Sequence, residues 1–544
     1  MIKSRLILFL SLLCSTTAFS QKNQIEKPKL MVGIIVDQMR AEYLYRFYDY
    51  YGEGGFKRLM NQGYEFKNAH FNYVPTKTGP GHASVYTGTT PRVHGIIAND
   101  WYNKKSKEFL YCVEDQSANS IGGSAENGKI SPVNLLSTTI TDELTLFYQD
   151  RSKIIGMSIK DRGAVLPAGH HPDAAYWYDD ETGEFMTSDY YKEDLPKWVK
   201  QFNKQKLVEK YMSGKWETLY PIEEYVESAE DDREMERDLI KGQPSVFPYD
   251  LTSSDKPYDL IKTTPWGNTI LADFAKASID GENLGQDEIT DFLAVSFSST
   301  DYAGHDFGPY SKEVQDMYVR LDRELESFFN TLDEKVGKGQ WSVFLSADHA
   351  VAAIPVWMKQ QDMPADYWNK KKLEMHLNET LKTKWKVEGL VESVSNDQIF
   401  LNHDLIKERG LVLKEIKADV MPILKQTPGI KAVYDADEIG NYWGGDYDLA
   451  MLSAGFNQLR SGDILFTIQS GWLSTYGKEN KGTTHGTHYT YDTHVPMLFY
   501  GWGIKPGKSY RYHSITDIAP TISMLLNIGI PSGATGQPLY EIFE

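Results

Sequence analysis

The chain has 544 residues and a formal net charge of −18, and 41% of its residues are hydrophobic. The chain is longer than a domain with a single ordinary hydrophobic core. Its length predicts either one large domain with insertions or two to three domains. The acidic balance disfavours nucleic acid as a partner, because a negative surface repels phosphate groups unless a local cation or metal ion offsets it. No nucleic-acid partner is therefore expected.

The N-terminus has the parts of a secretory signal peptide. Lys3 and Arg5 precede an apolar run over residues 6–13, and small residues lead to a cleavage site after Ser20. The apolar run is too short to cross a bilayer. We therefore expect residues 1–20 to be removed from a periplasmic or secreted protein without a membrane anchor. We also expect this protein to be a monomer.

Cleavage would leave a single cysteine. Cys14 lies inside the predicted leader, whereas Cys112 lies in the mature chain. An internal disulfide is then impossible, so the exported protein must be stabilised by its core and by any metal that it binds.

A buried parallel strand is the first predicted core element. Residues 30–36 are apolar without alternation, which is typical of a strand covered on both faces. Asp37 follows at the carboxyl end of this strand, where open α/β sheets place their active sites. A helix N-cap is the alternative role for Asp37. A helical stretch to about residue 62 and a strand over residues 64–72 come next.

The stretch VPTKTGPGHASVYTG, residues 74–88, reads as a Gly/Pro-rich loop that leads into a helix over residues 82–86. Thr78 lies just ahead of this helix, where backbone N–H groups and the positive end of the helix dipole favour an anion. A simple helix cap is the alternative. Asn99 follows in a polar turn.

A third strand is predicted over residues 153–165. Lys160 and Arg162 are two residues apart, so both would point to one face of an extended chain. Two cations on one face repel each other unless an anion lies between them. A solvated strand end is the alternative interpretation.

Between residues 166 and 256 the periodicity fades, which predicts an insertion over the active-site face. Its acidic run over residues 223–238 is interpreted as a solvated helix.

The core pattern returns over residues 257–350, and each of its two buried strands is followed by a polar pair. Asp301 and His305 are four residues apart, so one helical turn would bring them together. Asp348 and His349 follow the second strand.

Residues 351–480 are predicted to form a small inserted α+β unit, and residues 481–544 complete the core with a strand and a terminal helix. The first part of the core would span residues 21–165. Together these elements predict an α/β fold, a three-layer α/β/α sandwich with a mostly parallel central sheet and two inserted cap regions.

Six candidate metal ligands lie near predicted strand ends. They are Asp37, Asp301, His305, Asp348, His349 and His485. Three carboxylates and three imidazoles suffice for two catalytic zinc ions with three protein ligands each and an open position. Manganese or iron fits this mixed set less well. Two metals about 4 Å apart could clamp the oxygens of an in-line displacement.

The other polar residues suggest how such a centre would act. A metal ion could lower the pKa of the Thr78 hydroxyl and make it a nucleophile. Lys160 and Arg162 would hold phosphoryl oxygens, and Asn99 would add a neutral hydrogen bond.

The order Asp…Thr…Asn…Lys-x-Arg…Asp-x-x-x-His…Asp-His…His resembles the alkaline phosphatase superfamily. The stretches VPTKTGPGHASVYTG, KDR, TDYAGHD, ADH and THGTHYTYDTHVP resemble its phosphate-irrepressible alkaline phosphatases of PafA type, and the resemblance covers nearly the whole chain. It implies two Zn²⁺ ions. Their implied ligands are Asp37, Thr78, Asp348 and His349 for one ion, and Asp301, His305 and His485 for the other.

The resemblance also implies roles for individual residues. Thr78 would be the transiently phosphorylated nucleophile, and Asn99, Lys160 and Arg162 would contact phosphate. Lys160 would stand where other alkaline phosphatases hold magnesium, so no Mg²⁺ site is expected. His485 is preferred over the neighbouring histidines because it belongs to the T-H-G stretch of the family.

The expected function is that of an exported alkaline phosphatase that hydrolyses small phosphate monoesters and releases inorganic phosphate. The first alternative is a phosphodiesterase or nucleotide pyrophosphatase with the same metal ligands and threonine. The Lys160/Arg162 pair favours the monoester, because a diester has less terminal charge and needs room for its second substituent. A sulfatase is disfavoured because the loop lacks a Cys/Ser-x-Pro-x-Arg stretch, and a phosphomutase because the chain is expected to be exported. A non-catalytic metal- or glycan-binding module would tolerate loss of the nucleophile or a cation, and neither is lost.

Overall fold

The computed structural model describes residues 26–442, 444–475 and 480–543, so the predicted leader lies outside the described residues. A sheet of eleven strands forms the middle layer. Its strands, in chain order, are β1 (Leu30–Val36), β2 (Tyr64–His70), β3 (Ser120–Ile121), β4 (Ile154–Ser158), β5 (Ala174–Asp179), β6 (Glu184–Ser188), β7 (Asp291–Phe297), β8 (Trp341–Ser346), β9 (His494–Val495), β10 (Met497–Gly501) and β11 (Gly507–Ser514).

The centre of this sheet is parallel. Strands β8, β1, β7, β4 and β5 are neighbours in that order and all run in the same direction. Every residue of β1, β7 and β8 is buried, because helices cover both faces of the parallel strands. Antiparallel strands flank this block, with β10 beside β8 and β6 beside β5. Beyond β10 lies β2, which also pairs in parallel with β11. The predicted parallel centre is therefore confirmed, and both sides carry antiparallel strands.

Helices pack on the sheet in two groups, within each of which the helices contact one another. One group comprises Thr78–Thr87, Ile140–Tyr148, Asp161–Ala168 and Ile518–Leu526. The other comprises Phe56–Gln62, Lys197–Asn203, Pro265–Gly281, Ser299–Phe307 and Lys312–Leu332. The predicted three-layer sandwich is confirmed. Shorter helices span Tyr43–Arg46, Pro91–His94, Leu207–Tyr211, Pro257–Leu260 and Thr490–Thr493.

Residues between β8 and β9 build a second, smaller sheet with its own hydrophobic cluster. Its strands are Val391–Ser395, Gln398–Leu401, Ile464–Ile468 and Ile430–Asp435, in spatial order and antiparallel throughout. The helices of this part are Pro355–Gln360, Lys370–Trp385, His403–Glu408, Leu413–Gln426, Ala436–Gly440 and Tyr447–Gly455.

Two expectations need correction. The predicted strand over residues 153–165 ends at Ser158, and a helix begins at Asp161, whose carboxylate suits the first turn of a helix. The predicted insertion from residue 166 begins with the end of this helix and with β5 and β6. The core therefore continues to Ser188, and the division of the chain into core and inserted parts stays a proposal. None of the helices within the described ranges is long and apolar enough to cross a membrane.

Candidate active site

Polar side chains from distant parts of the chain meet at the carboxyl ends of the parallel strands. Asp37 directly follows β1, and Asp348 lies two residues after β8. Lys160 lies two residues after β4, and Asp301 lies in the helix that follows β7. Because the carboxyl ends of parallel strands share one edge, this topology gathers the four residues in one place.

Thr78 lies at the start of a buried helix. The helix begins at Thr78 itself, not at residue 82 as predicted, so the hydroxyl belongs to the first turn. Its Oγ1 is 3.4 Å from Nε2 of His349. Gly81 lets the helix approach the strand ends, because a Cβ there would lie 2.1 Å from the carbonyl oxygen of Asp348.

Three histidines present the same ring nitrogen to this site. Nδ1 of His305 bonds the carbonyl oxygen of Thr483 at 2.8 Å, and Nδ1 of His485 bonds that of Thr76 at 2.7 Å. Nδ1 of His349 likewise bonds the carbonyl of the next residue at 3.0 Å. A carbonyl only accepts, so each Nδ1 carries the proton and each Nε2 keeps a lone pair for a metal ion.

Within the described residues, two overlapping groups have ligand atoms within 4.8 Å of one another. The first group is Asp301, His305 and His485, and the second is Asp37, Asp301 and His349. Nε2 of His305 lies 3.3 Å from Oδ1 of Asp301, and Nε2 of His349 lies 3.5 Å from Oδ1 of Asp37. Asp301 thus belongs to both groups.

Two carboxylate oxygens in this site are buried without a hydrogen-bond partner. They are Oδ1 of Asp37 and Oδ2 of Asp348, and each lies 3.5 Å from Nε2 of His349. Burial raises the pKa of both carboxyl groups. Orphaned oxygens that share one neutral imidazole fit a bound divalent cation, which would stabilise both as carboxylates.

The two remaining histidines differ in charge environment. Burial lowers the pKa of His485, as it does for His349, which keeps both rings neutral as metal ligation requires. Burial also disfavours the charged form of His305, but Asp301 outweighs this and raises its pKa. Burial would raise the pKa of Asp301, yet His305 and Lys160 hold it well below its usual range.

Lys160 is a buried cation between two of the acids. Its Nζ lies 2.8 Å from Oδ2 of Asp37 and 2.5 Å from Oδ2 of Asp301. Burial would lower the pKa of Lys160, but Asp301 and Asp37 raise it above its usual value, which favours the charged form. The oxygens that face Lys160 are not those that face the histidines.

Arg162 does not share a strand face with Lys160, contrary to the prediction. It lies in the first turn of the helix Asp161–Ala168, where its guanidinium donates to the Tyr111 hydroxyl at 2.9 Å. Tyr111 in turn donates to Oδ1 of Asp161 at 2.5 Å. The sequence did not indicate Tyr111, because it lies fifty-one residues before Arg162.

Asn99 lies beside the first turn of the helix that begins at Thr78. Its Oδ1 accepts a hydrogen bond from the backbone N–H of Gly79 at 2.7 Å. Lys77, on the other side of Thr78, donates from Nζ to the carbonyl of His485 at 2.7 Å. These contacts tie the residues around Thr78 to Asn99 and to a histidine of the first group.

Comparison with known proteins identifies the family. Residues 31–491 match the model of the type I phosphodiesterase/nucleotide pyrophosphatase family, and the chain belongs to this family within the alkaline phosphatase superfamily. Among its relatives is alkaline phosphatase PafA of Elizabethkingia meningoseptica, 46% identical over 96% of this chain and 95% of the relative. Alkaline phosphatase PhoV of Synechococcus elongatus is 42% identical over 99% of each chain.

A solved structure agrees with these relatives. The crystal structure of wild-type alkaline phosphatase PafA superposes with a TM-score of 0.92 at 45% identity, covering 96% of this chain and all of that chain. The resemblance to PafA-type alkaline phosphatases is confirmed.

Proposed function

We propose that this protein is an exported, zinc-dependent alkaline phosphatase that hydrolyses phosphate monoesters through a phosphothreonine at Thr78. Two relatives that match nearly the whole chain at more than 40% identity are named alkaline phosphatases, which supports monoester hydrolysis. The observation that carries the proposal is the position of Thr78 on the first turn of a helix, with Oγ1 3.4 Å from Nε2 of His349.

The residues of the chain would divide the chemistry as follows. Thr78 Oγ1 attacks the phosphorus atom, the ester oxygen leaves, and a water later releases inorganic phosphate from the threonine. Asn99 would donate from its amide nitrogen to the phosphoryl group, since its oxygen accepts from Gly79. Arg162, held by Tyr111, would supply a charged donor.

Two Zn²⁺ ions are proposed for the two candidate groups. Imidazole and carboxylate ligands suit zinc, and the orphaned oxygens of Asp37 and Asp348 are available for it. When bound, the ions would lower the pKa of the Thr78 hydroxyl and stabilise charge on the attacking and leaving oxygens. The Lys160 ammonium contacts both Asp37 and Asp301, which supports the proposal that no Mg²⁺ binds there.

The second candidate function is that of a phosphodiesterase, and the match to the type I phosphodiesterase/nucleotide pyrophosphatase model favours it. The first candidate is preferred because PafA and PhoV, which match over nearly their whole length, are named alkaline phosphatases. Export, action on small molecules without nucleic acid, and a monomeric state belong to the same proposal.

An assay of the mature protein with an aryl phosphate monoester and the matching diester tests the proposal. We expect monoester preference that a chelator removes and zinc restores. Diester preference would favour the second candidate, and activity that survives complete metal removal would contradict the metal mechanism.

The nucleophile is tested by Thr78→Val, with Thr87→Val as the matched control in the same helix. Thr87 is also buried, but its hydroxyl donates to the carbonyl of Ala83. Thr78→Val should lower turnover at least about 10³-fold and abolish the phosphoenzyme seen by mass spectrometry. Thr87→Val should stay within a few-fold of wild type. A phosphoenzyme that persists in Thr78→Val would place the nucleophile elsewhere.

A further inference from the structure

Gln38 has an unusual backbone conformation for its residue type. It directly follows Asp37, it is 2% exposed, and its φ of 67° lies in the left-handed region. A residue with a side chain is disfavoured there by roughly 1–2 kcal/mol, whereas glycine is not. Strain of this kind persists where the surrounding contacts require it, so the contacts of Gln38 are informative.

Gln38 contacts acids on both sides of the candidate centre. Its backbone N–H donates to Oδ1 of Asp348 at 3.1 Å, which leaves Oδ2 of that carboxylate directed at His349. Its side-chain Nε2 donates to Oδ1 of Asp301 at 2.5 Å and to the Asp301 carbonyl at 3.3 Å. Gln38 therefore orients two carboxylates that follow different strands of the sheet, Asp301 after β7 and Asp348 after β8.

The space for this side chain depends on a glycine in the middle of a helix. Gly304 lies between Asp301 and His305 in the helix Ser299–Phe307. A Cβ at this position would lie 1.8 Å from Oε1 of Gln38, so no other residue fits without displacing the carboxamide. Glycine inside a helix costs about 0.5–1 kcal/mol relative to alanine, and the packing of Gln38 accounts for its presence here.

We propose that Gln38 is a positioning residue that fixes Asp301 and Asp348 in the orientation required for metal binding, and that Gly304 serves to accommodate it. The proposal rests on the metal-dependent function proposed above. The backbone N–H of Gln38 would hold Asp348, and its carboxamide would hold Asp301, the residue common to both candidate groups. Partners of this kind commonly change metal affinity about 10–100-fold when they are removed.

Gln38→Gly separates positioning from folding. Glycine adopts the left-handed backbone without strain and keeps the N–H that faces Asp348, but it removes the donor to Asp301. Relief of backbone strain offsets part of the loss of the buried carboxamide, so we expect metal-free Gln38→Gly to stay folded and to unfold within a few degrees of metal-free wild type. Its zinc affinity should be about 10–100-fold lower. Zinc affinity is measured by competition with a chelator of known affinity, and thermal unfolding of the metal-free proteins reports the fold.

Gly304→Ala tests the same contact from the other side. It leaves every candidate ligand unchanged but displaces the carboxamide, so zinc affinity should fall by a similar factor. In the Gln38→Gly background the added methyl group meets no carboxamide, and Gly304→Ala should then change zinc affinity less than about two-fold. Gly440→Ala is the matched control, since a Cβ there lies 3.6 Å from its nearest neighbour, Phe456.

The outcomes separate this inference from the function on which it rests. Wild-type zinc affinity in both Gln38→Gly and Gly304→Ala would overturn the positioning role while leaving the proposed function intact. Additive losses in the double variant would overturn the link between Gln38 and Gly304. Failure of the wild-type protein to bind zinc would overturn the proposed function and this inference together.

Discussion

Two regions of this protein bury several carboxylates, and only one of them has the geometry of a metal centre. The strand-end site holds Asp37, Asp301 and Asp348. The second region, here called the acidic cluster, consists of Asp231, Glu236 and Glu313 and lies against the start of the helix Lys312–Leu332. Both regions contain buried carboxylate oxygens without a hydrogen-bond partner.

The regions differ in what faces those oxygens. In the strand-end site the orphaned oxygens face an imidazole nitrogen of His349. In the acidic cluster the guanidinium of Arg233 lies 3.7 Å from Glu236, and the hydroxyl of Tyr249 donates to Glu313. In the part of the chain that the structure describes, three residues have ligand atoms that all lie within 4.8 Å of one another in each of the two groups that contain Asp301. The acidic cluster, which the structure also describes, contains no such group. Orphaned oxygens alone therefore do not define a metal site.

Protonation is the remaining way to stabilise the acidic cluster. Burial raises the pKa of Glu236 and of Glu313. Repulsion by neighbouring acidic groups raises both pKa values further. A neutral carboxylic acid avoids most of the cost of a buried charge. One region would thus be stabilised by metal and the other by protons.

The largest expected effect comes from replacing one acid in each region by its amide. Asp301→Asn removes the carboxylate that both candidate groups share, so we expect loss of bound zinc and at least about 10³-fold lower monoester turnover. Asp231→Asn in the acidic cluster should leave both within a few-fold of wild type. Zinc content by mass spectrometry and turnover are the measurements. A zinc loss in Asp231→Asn equal to that in Asp301→Asn would remove the distinction between the regions.

A smaller effect is expected for stability against pH. A carboxyl group whose folded-state pKa is raised contributes stability fully below the ordinary glutamate pKa of about 4.3, and this stability is lost as the pH rises into the alkaline range. Glu236→Gln removes the titrating group. The free energy of unfolding of this variant, relative to that of the wild type, should therefore rise by roughly 1–3 kcal/mol from pH 5 to pH 9.

Chemical denaturation at both pH values measures this gain, with Glu227→Gln on the exposed surface as the control. A pH-independent difference for Glu236→Gln would mean that the acidic cluster is charged throughout and needs a cation.

The smallest expected effect concerns Arg162, whose partner Tyr111 lies outside both regions. Tyr111→Phe removes the hydroxyl that accepts from the guanidinium, so kcat/KM for the monoester should fall about 2–10-fold, mainly through a higher KM. Arg162→Ala should cost more for the monoester than for the diester, as expected for a donor to a terminal phosphoryl oxygen. Equal losses for both esters would argue against that role.

The amino-acid pattern alone predicts where the acids of the strand-end site lie. Asp37 and Asp348 follow runs of apolar residues without alternation, and such runs are typical of parallel strands covered on both faces. Asp301 and His305 could be paired from their spacing alone, because one helical turn joins residues four apart.

Other features had no local signal. The turn from β4 into a helix at Asp161 depends on packing against the sheet, so Lys160 and Arg162 were wrongly assigned to one strand face. The edge strand β11 alternates weakly and carries exposed Tyr510 and Tyr512, which hides it from a hydrophobic pattern. The left-handed conformation of Gln38 follows from contacts with residues that lie hundreds of positions away.

The pairing of the first strands has a consequence for how the chain folds. Leu30 in β1 lies opposite Asp291 and Trp341, and Tyr64 in β2 lies opposite Phe499 and Gly507. A ribosome releases the chain from its N-terminus. Strand β1 therefore has no partner strand until 261 further residues, from Leu30 to Asp291, have been synthesised, and β2 has none until nearly the entire chain has been made. Such high contact order predicts slow folding in which the sheet closes late. Truncation near the C-terminus should therefore first destabilise β2, which lies near the N-terminus and pairs with the C-terminal strands.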